Sequence, residues 1–143
     1  MSDAENSRAL GCLGIARKAG LVVTGEQNTG ALAHDGRAKL IILAADASPN
    51  AQRRAEGFSA SSGVPLAHVR FTKAEIAAAT GRSGCSMAAF TDAGLALRFY
   101  TASGGADETL ISRLSADVQR KKPQHGGAQP EREQKIGKRR KSV

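Results

Sequence analysis

Leu21-Val22-Val23-Thr24-Gly25-Glu26-Gln27-Asn28-Thr29-Gly30-Ala31-Leu32 is the stretch on which the reading of this 143-residue chain turns. Val22 and Val23 are β-branched and suit a pleated surface, Gly25 breaks the run, and a polar start leads into helical spacing. The order is strand, tight turn, helix. Thr24 followed by Gln27 has the spacing of a capping box, which predicts Thr24 as the N-cap. The first N–H groups of such a helix have no internal acceptor and its dipole is positive there, so an anion or a polar edge can dock. A nucleic-acid backbone is one candidate. A blander reading, in which Gly25 only turns the chain and Gln27 only caps, fits any α/β protein, so the rest of the chain must decide.

Outward from this turn, helices and strands alternate. Upstream, Leu10, Leu13 and Ala16 recur at helical spacing over Ser7 to Ala19, and Gly20 supplies the stop; Gly11 and Gly14 weaken this helix and predict close packing on a sheet. Downstream, Lys39 to Ala44 is apolar without alternation, as in a central strand covered on both faces. Ser48 and Pro49 suit the cap and first position of a helix to about Ser59. Pro65 to Val69 gives a third strand with Pro65 at its start, and Thr72 with Glu75 forms a capping box, flanked by a Phe71–Ile76 staple, for a helix over Lys73 to Thr80. A loop, Gly81 to Gly84, precedes a fourth strand over Cys85 to Phe90 and a helix capped at Thr91-Asp92 that runs to about Ala102. Strict alternation predicts a sheet between helices, parallel by this reasoning alone, with ligand-facing turns at the carboxyl ends of its strands.

Leu110, Ile111, Leu114 and Val118 allow a further short helix, although the Ser103-Gly104-Gly105 linker argues against firm docking. From Gln119 the composition is Lys, Arg, Gln, Gly and Pro with almost nothing to bury, which predicts disorder. Three divisions follow: a folded domain over 7–102, a linker with a possible helix over 103–118, and a basic tail over 119–143.

The net charge of +8 is uneven: residues 1–100 carry +3, residues 101–118 carry −2, and residues 119–143 carry +7. Nonspecific attraction to phosphate is therefore expected from the tail, through Arg120, Lys121, Lys122, Lys138, Arg139, Arg140 and Lys141, and recognition from elsewhere. Aromatic residues are 3% of the chain and Trp is absent, which argues against recognition by stacking of unpaired bases. Cys12 and Cys85 form no disulfide framework, no Cys or His pair has metal-ligand spacing, and His68 has no nucleophile beside it. No apolar run nears the roughly 18 residues of a membrane span and the polar start has no signal-peptide pattern, so a soluble, cytoplasmic protein without cofactor or metal is expected.

Several local motifs occur together in a distinctive order: Leu13-Gly14-Ile15-Ala16-Arg17-Lys18-Ala19-Gly20, Thr24-Gly25-Glu26, Ala38 to Ala44, Asp46-Ala47-Ser48-Pro49-Asn50, Gly63-Val64-Pro65 and Thr91-Asp92-Ala93-Gly94. Over about Ser7 to Tyr100 the chain thereby resembles the bacterial YlxQ-like proteins of the ribosomal protein L-seven-Ae and L-thirty-e superfamily. The resemblance implies a three-layer α/β/α sandwich with a four-stranded mixed sheet, and RNA binding, at kink-turns in many members. Carried over by position, the RNA surface is Gly25, Glu26, Gln27 and Asn28 on the turn and Arg82, Ser83, Gly84 and Cys85 before the last strand, with Asp46 beside them.

The chain departs from the kink-turn binders, which carry Asn then Glu after the turn and a Lys one helical turn on. Gln27, Asn28 and Ala31 stand there. Gln27 still donates and accepts on a purine edge, but Ala31 offers nothing to phosphate. In some bacteria the YlxQ-like domain follows a YlxR-like domain and is linked to transcription termination, which leaves open a stand-alone protein or half of a longer one.

The leading expectation is a monomeric, non-catalytic binder of structured RNA, kink-turn-like RNA included, associated with the ribosome or with the transcription termination and antitermination machinery and their proteins. The alternative is a protein–protein interaction module of the same machinery whose tail attracts RNA nonspecifically. An α/β enzyme is the weakest reading, because the chain has no phosphate-binding glycine fingerprint, nucleophile elbow or cofactor motif.

Overall fold

A computed structural model describes residues 3–81 and 86–126. Its elements run α1 (Asp3–Lys18), β1 (Val22–Thr24), α2 (Glu26–His34), β2 (Leu40–Leu43), α3 (Pro49–Ser62), β3 (Leu66–His68), α4 (Lys73–Thr80), β4 (Met87–Phe90), α5 (Ala93–Ala102) and α6 (Glu108–Gly126). The four strands form one sheet in the order β1-β4-β2-β3. β2 and β3 are parallel, while β4 is antiparallel to both β1 and β2. The sheet is therefore mixed, as the resemblance implies, and not parallel as alternation alone predicts.

Every residue of β2 and β4 is buried, because helices cover both faces of the sheet. Side chains alternate across it. Leu40, Ile42, Ala88 and Phe90 face α1, α4, α5 and α6 in a core that includes Leu13, Phe71, Ile76, Phe99 and Leu114. Ile41, Leu43, Met87 and Ala89 face α2 and α3, against Leu32, Ala33, Ala51 and Ala55. Phe99 lies between two rings, with centroids 5.4 Å from Phe90 and 6.2 Å from Phe71.

The structure departs from the sequence reading at α1, at Gly14 and at α6. α1 begins at Asp3 rather than Ser7, and its early turn is held from outside, with Arg70 Nε donating to Asn6 Oδ1 at 3.1 Å. Gly14 packs on α4 rather than the sheet, since a Cβ there would lie 3.1 Å from the Ala79 carbonyl oxygen. α6 is docked, with Leu110 and Leu114 buried in the core, and it continues past Gln119 to Gly126. Its link folds down because Gly105 lets the Tyr100 ring close on the backbone and the Tyr100 hydroxyl oxygen accepts from the Asp107 N–H at 3.1 Å. Residues 127–143, with Lys138, Arg139, Arg140 and Lys141, lie outside the described residues.

Candidate nucleic-acid interface

With β4 antiparallel to its neighbours, the carboxyl ends of β1, β2 and β3 and the start of β4 share one edge of the sheet. Backbone bonds lace that edge. The Gly25 N–H donates to the Met87 carbonyl at 2.9 Å, the Ala44 N–H to Ser86 at 2.8 Å, and the Val69 N–H to Leu43 at 3.1 Å. The turns after β1 and β2 therefore meet the start of β4. Arg82, Ser83, Gly84 and Cys85, expected to complete the surface, lie outside the described residues.

At the first turn the structure corrects the expected cap. The N-cap is Gly25, with φ 95° and ψ 160°, and among the described residues no side chain caps the opening N–H groups. Thr24 still belongs to β1, opposite Ala88, so its backbone is held in the ladder and the helix begins one residue later than predicted. Its carbonyl instead accepts from Asn28 Nδ2 at 3.0 Å, which ties α2 back to the strand end. The opening N–H groups of α2 retain the unfilled donor capacity of an uncapped helix start. Gln27, Asn28 and Ala31 are exposed, while Thr29 is fully buried. The Glu26 carboxylate, half-buried, meets Arg54 of α3, Nε to Oε1 at 3.4 Å.

Asp46 sits two residues beyond Ala44, exposed, with Oδ1 accepting from the Lys73 N–H at 2.8 Å. It thus caps α4 alongside the predicted box, in which Thr72 Oγ1 accepts from the Glu75 N–H and Glu75 Oε1 from the Thr72 N–H. Ser48 likewise caps α3, accepting from the Ala51 N–H at 3.1 Å ahead of Pro49. Arg120 lies on α6 and pairs with Asp117, and Lys121 and Lys122 follow on the same helix. Arg53 and Arg54 of α3 were not singled out from sequence. Two adjacent arginines in the first turns of a helix that starts at this edge were the available signal.

Elsewhere, burial pushes the Cys12 thiol above its ordinary pKa while Arg98 pulls the other way, and the thiol donates to the Leu95 carbonyl at 3.6 Å. Among the described residues, no group of three His, Cys, Asp or Glu side chains could hold a metal ion. No helix among them is long and apolar enough to cross a membrane.

Comparison with known proteins matches residues 8–98 to the ribosomal protein L7Ae/L30e/S12e/Gadd45 family. The RNA-binding protein YlxQ of Enterococcus faecium is 32% identical over 82 residues, which cover 57% of this chain and 79% of that protein. Among solved structures, a protein with unknown function from Bacillus halodurans superposes with TM-score 0.63 at 22% identity, covering 68% of this chain and 98% of its own. The 15.5kD RNA binding protein of Giardia lamblia superposes with TM-score 0.53 at 17% identity, covering 86% of this chain and 92% of its own.

Proposed function

This chain belongs to the ribosomal protein L7Ae/L30e/S12e/Gadd45 family, and from that premise we propose that it binds structured RNA without catalysing a reaction on it. The observation that carries the proposal is the edge at which Gln27 and Asn28 stand exposed beside the uncapped start of α2, next to the end of β2 and the start of β4. Backbone N–H groups and a helix dipole suit a phosphate there, and the Gln27 amide has both a donor and an acceptor for a base edge. In this reading Gly25, Glu26, Gln27 and Asn28 form one side of the surface, Arg82, Ser83, Gly84 and Cys85 the other, and Asp46 holds the start of α4 beside them. Association with the ribosome or with transcription termination and antitermination complexes is the cellular setting we propose, with kink-turn-like RNA as the first ligand to try.

A second reading has one observation in its favour, the +7 of residues 119–143 against the +3 of residues 1–100. There the domain binds a protein and the tail alone attracts RNA. Binding curves on a structured and an unstructured RNA separate the two. Under the first reading, Gln27→Ala with Arg82→Ala erases the preference for structured RNA and leaves the weaker, salt-sensitive attraction. A double variant that keeps the preference sinks the first reading.

A further inference from the structure

We propose that Arg54, carried on α3, supplies the phosphate contact that α2 lacks at Ala31, an inference that rests on the RNA-binding reading above. Ala31 is exposed one helical turn beyond Gln27, where a methyl group offers an RNA backbone nothing. The neighbouring helix brings a cation to the same end of α2. Glu26 and Gly30, one turn apart on α2, face Arg54 and Phe58, one turn apart on α3. The Arg54 guanidinium reaches the Glu26 carboxylate at 3.4 Å, and Gly30 lies so close to the Phe58 ring that a Cβ would come within 2.7 Å of it. That close approach sets α3 against α2 and holds Arg54 at the helix start.

The Arg54 side chain is 63% exposed even with its partner in place. A guanidinium has five N–H donors in a planar fork, and the Glu26 contact is made through Nε, so the Nη donors remain for an incoming phosphate. An ion pair this exposed contributes little to folding and competes weakly with a bidentate phosphate contact. Arg53 differs, because its Nη2 donates to Asn50 Oδ1 at 2.6 Å on α3 itself. Arg54 is the one aimed across the helix pair.

The test is a salt series of binding curves for the full chain on one structured RNA, comparing wild type with Arg54→Gln, Arg54→Lys, Arg37→Gln, and Arg54→Gln combined with Ala31→Lys. Arg37 is exposed beyond the far end of α2 and serves as a charge-matched control. Removing one phosphate contact should weaken binding roughly three- to tenfold at low salt and reduce the salt slope by about one. Arg54→Gln is expected to do both, Arg54→Lys to keep the slope, Arg37→Gln to change little, and the added Ala31→Lys to restore the slope. The inference is overturned if Arg54→Gln behaves like Arg37→Gln, or if Arg54→Lys loses the slope as Arg54→Gln does. Failure of the underlying reading looks different: Gln27→Ala with Arg82→Ala then leaves wild-type preference unchanged.

Discussion

Gly25 shows at the scale of one residue why the turn is built as it is. Its φ of 95° with ψ of 160° lies in a region that residues with a Cβ occupy only under strain. A Cβ there would meet nothing within 4 Å, so the difficulty is conformational and not steric crowding. Gly25→Ala should therefore lower unfolding stability by about 1–3 kcal/mol, read as a shifted urea midpoint with unchanged slope. An unshifted midpoint would show that the turn relaxes freely. The glycine was legible in sequence as a turn, but the cap was not. Thr24 and Gln27 have the spacing of a capping box, yet pairing of Thr24 with Ala88 fixes its backbone and the Gly25 N–H extends the ladder to Met87. Tertiary pairing overrides the local cap because a cap at Thr24 needs helical backbone at Gly25, which the bond to Met87 and a φ of 95° exclude.

Among the elements, α4 was the most legible from local sequence and also acquired a partner no local pattern announces. Its eight residues start with three opening donors satisfied, two by side chains of its own cap and one by Asp46 from the end of β2. Each such acceptor contributes on the order of 1 kcal/mol at a helix start. Thr72→Ala and Asp46→Ala should each destabilise the fold by about that much, measured by thermal or urea unfolding. Asp46 also tests the division between scaffold and surface. As a cap it should affect RNA affinity only in step with stability, whereas lost affinity at unchanged stability would make it a direct RNA contact. Its spacing from the strand placed it near the turns, but its partner Lys73 is 27 positions away and had no local signature.

Across the whole molecule, charge and fold are divided along the chain. The core reaches Leu114 of α6, while most of the positive excess begins after Val118. Truncation after Val118 removes charge without removing Leu110 or Leu114, so the melting temperature should stay within a few degrees of wild type. Affinity should fall about equally for all RNAs and its salt dependence should flatten, because phosphate contacts carry no sequence information. A truncated domain that still prefers structured RNA supports recognition by the sheet edge. A domain that binds neither RNA at low salt assigns the attraction to residues 119–143 alone.

The succession of helices and strands, the covered central strand, three helix caps and the basic tail were determined by residues close together in the chain, because periodicity, caps and composition act over one or two turns. The direction of β4, the shift of the cap from Thr24 to Gly25, the bond from Asp46 to Lys73 and the approach of Arg54 to Glu26 were decided only by the tertiary structure. Each joins segments that are distant in sequence, or chooses between two conformations that local preferences leave close in energy. The docking of α6 belongs with them: its apolar spacing was visible, but its burial required the Tyr100 ring to close over Gly105 and a core lined by residues of the other helices.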